Sequence, residues 1–200
     1  MIKLAVLASG NGSNLQAIID SIEAGKLSAE IKMVVSDKSD AKALERARNH
    51  KIEDIWVNPK EFVTREEYDQ MLVRVLKRYQ IDLVVCAGYM KILTSVFVRQ
   101  FSGKIVNIHP ALLPKYPGTH SIERAFKSGD RTTGVTVHFI DEGVDTGPII
   151  RQVQIPIKTD DTLEILEARV HEVEHKLYPE VLQLFAEGRI KVSGRNVSTK

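Results

Sequence analysis

The sequence predicts an α/β fold with a doubly wound, mostly parallel sheet, followed by an antiparallel addition and a long C-terminal helix. Two observations carry this prediction. Over the first two thirds of the chain, apolar strand-like runs alternate with amphipathic helical stretches, as in parallel sheets that are covered by helices on both faces. After the Pro- and Gly-rich stretch 110–118, the pattern changes to two strand-like runs and one long helical run. We therefore expect a Rossmann-like sheet with a smaller C-terminal part.

Each element is justified by its own pattern. The strands of the parallel part are short and apolar: Lys3–Ala8, Ile31–Ser36, Asp54–Val57, Asp82–Ala87 and Lys104–Ile108. Apolar residues at helical spacing predict the helices between them: Asn14–Ala24, Lys42–His50, Arg65–Tyr79 and Thr94–Phe101. Gly134–Ile140 and Ile149–Ile157 are predicted as an antiparallel pair. A long helix is predicted over Leu163–Leu184, with Pro179 expected to kink or divide it, and the polar tail Val192–Lys200 is expected to fray.

Composition limits the classes of function. The 200 residues are 43% hydrophobic and 27% charged, and 28 basic and 26 acidic residues give a net charge of +2. The charges are mixed along the chain, which is not the basic stripe of a nucleic-acid-binding protein. The apolar start is too short for a membrane span and lacks a signal-peptide cleavage pattern. One cysteine, Cys86, excludes an internal disulfide, so we expect a cytoplasmic protein that binds neither nucleic acid nor membrane.

A glycine-containing loop follows the first predicted strand. Residues 9–14 read Ser-Gly-Asn-Gly-Ser-Asn, and a helix begins at once. Glycines let a backbone approach a ligand closely, and a helix start offers unpaired N–H groups to a phosphate. Leu15 stands where a dinucleotide fingerprint has its third glycine, and no P-loop lysine follows, so a monophosphate fits better. The alternative is a turn without a ligand, in which Ser13 or Asn14 caps the helix.

Polar residues also end the strand that begins at Lys104. Asn107 and His109 are two residues apart, so both project on one face, and Pro110 stops the strand there. Ligands of open α/β sheets bind at this carboxyl end. Asp145, in the turn-rich loop 141–147, joins them if that loop folds back over His109. An amide donor, an imidazole and a carboxylate together can stabilise an oxyanion and move a proton, which is the equipment of acyl transfer.

Two other histidine patterns were weighed against this site. His171-Glu-Val-Glu-His175 matches the zinc motif H-E-x-x-H, which supports a zinc hydrolase with Glu172 as the base. The match is short and lacks a third ligand, so a solvated helix face is the simpler interpretation. His138 alternates with apolar residues and is expected to pack or bond locally rather than to catalyse.

Four motifs together resemble the phosphoribosylglycinamide formyltransferases, a folate-dependent family of purine synthesis. They are Gly10–Leu15, Ala87–Leu93, Asn107–Pro114 and Asp141–Pro148. The resemblance runs from Ile2 to about Gly188, with the motifs in the family's order and spacing. Ala111 stands where serine is common and Lys91 where arginine is common, and neither departure affects the chemistry.

The resemblance implies one formyltransferase domain over 1–200, with a phosphate-binding half (1–109) and a part with the folate loop, hairpin and C-terminal helix (110–190). It implies a catalytic trio of Asn107, His109 and Asp145. It assigns the ribonucleotide to Gly12, Ser13, Asn14 and, at the ribose, Glu174. It assigns the folate to Arg65, Met90, Lys91, Ile92, Leu93, Asn107, Asp141, Glu142, Gly143, Val144 and Asp145. The co-substrate is 10-formyltetrahydrofolate, no metal is expected, and the protein is a monomer or homodimer.

The implied reaction moves the formyl group of 10-formyltetrahydrofolate to the amine of N1-(5-phosphoribosyl)glycinamide in de novo purine biosynthesis. Asp145 is expected to raise the pKa of His109 and to keep its imidazolium available near neutral pH. A 10-formyltetrahydrofolate deformylase is the main alternative, but that family carries an N-terminal regulatory domain, whereas the catalytic sheet here begins at residue 2. Methionyl-tRNA formyltransferase carries a C-terminal RNA-contacting domain, and this chain ends after its long helix. A non-catalytic phosphometabolite sensor would leave the catalytic trio unexplained.

Overall fold

The computed structural model describes residues 1–199, which divide into two compact units. The first unit is Met1–Val106 and the second begins at Asn107. None of the helices in residues 1–199 combines the length and hydropathy that crossing a membrane requires.

The first unit is a layer of parallel strands and helices. Its elements are β1 (Ile2–Leu7), α1 (Ser13–Glu23), β2 (Ala29–Ser36), α2 (Lys42–Asn49), β3 (Asp54–Trp56), a 3-10 turn (Pro59–Glu61), α3 (Arg65–Lys77), β4 (Leu83–Cys86), α4 (Ser95–Gln100) and the start of β5 (Ile105–His109). The strand order is β3-β2-β1-β4-β5, and β1 pairs in parallel with β2 and β4. The centre of β1 is fully buried from Leu4 to Leu7, as expected for a strand covered on both faces.

The second unit holds the antiparallel addition. It contains the end of β5, then α5 (Ser121–Lys127), β6 (Thr132–Phe139), β7 (Ile149–Pro156), α6 (Leu163–Ala186), β8 (Ile190–Ser193) and β9 (Asn196–Thr199). The strand order is β5-β6-β7, with β6 and β7 antiparallel, and α6 packs against both. The predicted α/β fold, with its parallel sheet, antiparallel addition and long helix, is confirmed.

Three local predictions were wrong or incomplete. Pro179 does not divide the long helix, because α6 runs without interruption and the neighbours Tyr178 and Leu182 are completely buried. The packing of these side chains offsets the cost of the backbone hydrogen bond that is lost at a proline. Up to residue 199 the polar tail is a β-hairpin, β8 paired with β9, and not a frayed end. Lys200 lies outside the described residues. The helix α5 was not predicted at all.

Candidate active site

The end of β5 places Asn107 and His109 on the same strand, and the His109 side chain is buried. Only 5% of His109 is exposed, whereas Asn107 is half-buried. The His109 Nε2 atom lies 2.9 Å from the Tyr116 carbonyl oxygen, so this nitrogen carries the hydrogen and donates it. The other ring nitrogen, Nδ1, is left for a second partner.

That partner is Asp145, in what we call the aspartate loop, residues 141–147. Its Oδ2 atom lies 3.4 Å from His109 Nδ1 and accepts a 2.7 Å hydrogen bond from the Gly118 backbone N–H. Asp145 has a φ of 53°, a left-handed conformation that costs energy in most residues other than glycine. The carboxylate is held by the hydrogen bond from Gly118 and by the neighbouring imidazoles, and these contacts stabilise the left-handed backbone of Asp145. The loop therefore folds back toward His109, as the sequence interpretation required.

A second histidine belongs to the same cluster, and the sequence analysis missed it. His138 Nε2 lies 3.3 Å from Asn107 Nδ2 and 3.5 Å from Asp145 Oδ1. Its Nδ1 lies 2.7 Å from the Phe139 carbonyl oxygen and donates to it, so the expected local bond exists as well. The β6–β7 register shifts between Val137 and His138. Val137 pairs with Arg151 and His138 with Ile149, so the extra residue of this irregularity, Ile150, is on β7 and not on β6.

Burial and neighbouring charges shift the pKa values of His109 and Asp145 in opposite directions. Burial lowers the pKa of His109 below its ordinary value, and the charge of Asp145 and the hydrogen bond to Tyr116 offset only part of that decrease. The expectation that Asp145 raises the pKa of His109 is confirmed, but desolvation outweighs the carboxylate, so the net shift of the His109 pKa is downward. Burial alone would also raise the pKa of Asp145. The hydrogen bonds from His138 and Gly118, with the charges of both histidines, lower it to about 2.

The rest of the aspartate loop is organised around Asp141. Its Oδ1 atom accepts hydrogen bonds from the Gly143 N–H, at 3.1 Å, and from the Thr146 hydroxyl, at 2.6 Å. A Cβ atom on Gly143 would stand 2.1 Å from the Thr146 hydroxyl oxygen, so this turn requires glycine. Arg195, at the tip of the C-terminal hairpin, donates to the Thr146 carbonyl and lies 3.4 Å from Asp141 Oδ2. Glu142 and Val144 are exposed.

The glycine loop, residues 9–14, forms the start of α1. Gly12 is the N-cap residue, with a φ of 72°, and no side chain caps the helix. The alternative in which Ser13 or Asn14 caps the helix was therefore wrong. A Cβ atom on Gly12 would stand 2.9 Å from the Cα and Cβ atoms of Ala43 in α2, whereas a Cβ atom on Gly10 would meet nothing within 4 Å. Gly12 is thus required by internal packing, and Gly10 borders open space.

The predicted folate residues of the first unit are held by hydrogen bonds between distant positions of the chain. Arg65, the first residue of α3, donates a 2.6 Å hydrogen bond to the Ile92 carbonyl. The Met90 N–H donates to the Ser9 hydroxyl at 2.8 Å, which ties this segment to the glycine loop. Met90 and Ile92 are large apolar side chains that are more than half exposed, and Lys91 is exposed beside them. Leu93 is buried. Exposed apolar side chains, on a backbone that is fixed by these hydrogen bonds, suit a flat aromatic ligand.

Glu174 lies buried on α6, inside the apparent zinc motif. Its Oε2 atom lies 2.7 Å from His171 Nδ1, and this hydrogen bond raises the pKa of His171 despite partial burial. The rings of His171 and His175 are stacked with centroids 6.5 Å apart. Within residues 1–199, no group of three His, Cys, Asp or Glu side chains is arranged to hold a metal ion. The zinc alternative therefore lacks the third ligand that it requires among these residues.

Comparison with known proteins decides the family. The model of the formyl transferase family matches residues 2–182. The chain belongs to this formyl transferase family. A phosphoribosylglycinamide formyltransferase of Haemophilus influenzae is 46% identical over 192 residues, which cover 96% of this chain and 91% of that protein. The trifunctional purine biosynthetic protein adenosine-3 of Drosophila melanogaster is 44% identical, over 96% of this chain and 14% of that protein.

A solved structure agrees with this formyl transferase assignment over the whole fold. The crystal structure of glycinamide ribonucleotide transformylase 1 from Symbiobacterium toebii superposes with a TM-score of 0.97 at 42% identity. The alignment covers 100% of this chain and 94% of that chain. The family resemblance deduced from the four motifs is thereby confirmed.

Within this formyl transferase, a cavity of about 770 Å³ lies away from the predicted residues. It belongs to the first unit and is lined by side chains that include Lys3, His50 and Tyr79. Its lining, drawn from residues 1–80, includes none of the predicted site residues. This cavity is therefore separate from the polar cluster at the end of β5, which joins Asn107, His109 and Asp145.

Proposed function

We propose that this protein transfers the formyl group of 10-formyltetrahydrofolate to the amine of N1-(5-phosphoribosyl)glycinamide, a step of de novo purine biosynthesis. The observation that carries the proposal is the chain of contacts from Asn107 to His138, from His138 to Asp145, and from Asp145 to His109. It combines an amide donor, two imidazoles and an ionised carboxylate in one cluster. The family assignment and the named relatives support the same reaction.

The mechanism follows from the chemistry of these groups. The substrate amine attacks the formyl carbon, and the carbonyl oxygen becomes an oxyanion to which the Asn107 amide donates a hydrogen bond. The C–N10 bond of the folate then breaks and N10 gains a proton, while the proton that the new formamide nitrogen releases returns to His109 and restores its charged form. His109 in its imidazolium form supplies the proton to N10, and the carboxylate of Asp145 stabilises that form. No covalent intermediate with the enzyme is required.

The contacts of His109 place a condition on this step. Nε2 is bonded to the Tyr116 carbonyl, and Nδ1 lies beside Asp145. The ring must therefore release one of these two contacts before it can donate to a substrate. We propose that binding of the folate substrate brings about this change.

Binding roles follow the same proposal. Gly12, Ser13 and Asn14 hold the phosphate of the ribonucleotide through the start of α1, and Glu174 holds the ribose. We assign folate binding to Arg65 and the backbone of Met90–Leu93, and also to Asn107 and residues 141–145 of the aspartate loop.

The remaining assignments are proposals of the same kind. The reaction needs only small-molecule substrates, with 10-formyltetrahydrofolate as co-substrate, and neither a metal, a nucleic acid nor a membrane takes part. We place the protein in the cytoplasm as a monomer or homodimer. Activity that survives treatment with a chelator, and a sedimentation measurement of the purified protein, test the metal and assembly assignments.

An assay of formyl transfer tests the function directly. Purified protein is incubated with 10-formyltetrahydrofolate, with and without the ribonucleotide, and both tetrahydrofolate and formylated ribonucleotide are measured. The proposal predicts that the two products form in equal amounts and only when the ribonucleotide is present. Release of tetrahydrofolate and formate without the ribonucleotide would identify a deformylase. Binding of the ribonucleotide without turnover would identify a sensor.

A further inference from the structure

Arg46, on α2, is bound to the glycine loop although it lies more than thirty positions later in the chain. Its Nε atom donates to the Asn11 carbonyl oxygen at 2.8 Å, and Nη2 donates to the Asn11 side-chain oxygen at 3.0 Å. The third nitrogen, Nη1, donates at 3.0 Å to the side-chain oxygen of Gln16, in the first turn of α1. One guanidinium thus spans the loop from Asn11 to Gln16, and the proposed phosphate-binding residues 12–14 lie between its two ends.

The helix that carries Arg46 contacts the loop at two further points. The Ala43 backbone N–H donates to the Gly10 carbonyl at 3.1 Å, and Ala43 packs against Gly12 so closely that a Cβ atom on Gly12 would not fit. Residues 10, 11 and 12 are therefore all in contact with α2. The left-handed backbone of Gly12, which sets the direction of the first N–H groups of α1, is held from this side.

The chemistry of the contacts favours arginine over any other cation. The three acceptors are neutral carbonyl or amide oxygens on two different residues, so the geometry of the guanidinium fork is what the loop uses. A lysine ammonium has the same charge but only one nitrogen, and it cannot reach Asn11 and Gln16 in parallel. The charge itself is not neutralised by these acceptors, so attraction of a phosphate at a distance is the rival explanation.

We propose that Arg46 is a positioning residue for the substrate phosphate: it holds the glycine loop in the conformation that binds this group. The inference rests on the proposed function, because it assumes that the glycine loop binds the phosphate of the ribonucleotide. It adds a residue that lies outside all four family motifs and that contacts the substrate only through the loop.

The test compares Arg46→Ala and Arg46→Lys with a matched control, Arg48→Ala. Arg48 lies on the same helix and also makes a bidentate contact, but to Asp54 and not to the loop. For each protein, kcat and KM are measured for both substrates. Calorimetry gives Kd for the ribonucleotide and for glycinamide riboside, the same molecule without its phosphate.

We expect Arg46→Ala to raise KM and Kd for the ribonucleotide about tenfold, a loss typical of hydrogen bonds made by a charged group. The KM for formyltetrahydrofolate, the kcat and the Kd for the riboside should change by less than about twofold. Arg46→Lys should lose most of the same affinity, and Arg48→Ala should behave like the wild type. Because Arg46→Lys keeps the charge and the long side chain, it carries the test if Arg46→Ala folds poorly.

Three results would overturn the inference. Wild-type affinity in Arg46→Lys would mean that charge alone matters. Equal losses for the ribonucleotide and the riboside would mean that Arg46 does not act through the phosphate. Unchanged affinity in Arg46→Ala would mean that the loop needs no such support. Failure of the proposed function is a separate result: wild-type protein would then bind the ribonucleotide and the riboside equally well, or would transfer no formyl group.

Discussion

The glycine loop and the aspartate loop solve a similar structural problem in different ways. Each contains a residue with a left-handed backbone and is held by an arginine from a distant part of its own unit. In the glycine loop the left-handed residue is Gly12, which offers its backbone and no side chain. In the aspartate loop it is Asp145, whose carboxylate is placed between two histidines. Under the proposed function, the first loop binds the substrate phosphate and the second takes part in the chemistry.

The largest effect is expected for a substitution of His109, which should change the rate of the reaction and not the affinity for the ribonucleotide. His109→Ala should lower kcat by about a hundredfold or more, the usual contribution of a general acid, and leave Kd for the ribonucleotide within about threefold of the wild type. Steady-state kinetics and calorimetry give the two values. His120→Ala, which removes a histidine whose side chain is 74% exposed, is the control and should keep full activity. If His109→Ala kept more than about a tenth of the wild-type kcat, His109 would not be the group that transfers the proton.

The next effect concerns the charge of Asp145. Asp145→Asn should lower kcat by about a hundredfold at neutral pH, because the buried His109 then loses the main group that opposes its desolvation. The pKa of His109 should fall further, so its acidic form should disappear at a lower pH than in the wild type. The high-pH limb of the kcat profile should move to lower pH, and the deficit should narrow on acidification. An Asp145→Asn profile parallel to that of the wild type would assign Asp145 a purely structural role.

Substitution of the two glycines sharpens the description of the glycine loop. Gly12→Ala should raise KM for the ribonucleotide about tenfold and lower Tm, because its Cβ atom meets Ala43 and the left-handed backbone disfavours it. Gly10→Ala, whose Cβ atom meets nothing within 4 Å, should leave Tm within a few degrees of the wild type. Thermal unfolding with kinetics on both variants measures this. Equal Tm values for the two would show that α2 adapts and that the packing argument is wrong.

The smallest effect is expected at the C-terminal hairpin. Arg195→Ala should raise KM for formyltetrahydrofolate by no more than about fivefold and leave KM for the ribonucleotide unchanged, because the Arg195 side chain is 68% exposed and exposed ion pairs contribute little. Lys191→Ala, on the same hairpin, is the control. A loss larger for the ribonucleotide than for the folate would contradict the assignment of the aspartate loop to the folate.

The sequence was informative where local rules apply and silent where distant residues meet. Strand alternation and Pro110 located Asn107 and His109, and the glycines located the loop at the start of α1. His138 was missed because alternation with apolar residues predicts only that it is buried, whereas its contacts with Asn107 and Asp145 join residues that are distant in the sequence.

The two arginines were missed for a related reason. Arg46 and Arg195 hold loops about thirty-five and fifty positions away in the chain, and nothing local distinguishes them from other surface arginines. The tail that carries Arg195 was predicted to fray. Its polar composition alone gives no information about pairing between β8 and β9.

An NMR titration of His109 is the most direct test of the proposed division of binding and chemistry between the two loops. The six histidines are followed in the wild type, Asp145→Asn and Gly12→Ala, and the His109 signal is assigned by its absence from His109→Ala. We expect a His109 pKa below the ordinary histidine value in the wild type, a still lower value in Asp145→Asn, and an unchanged value in Gly12→Ala. A His109 pKa that is the same in Asp145→Asn as in the wild type, or that moves in Gly12→Ala, would contradict the division of binding and chemistry between the two loops.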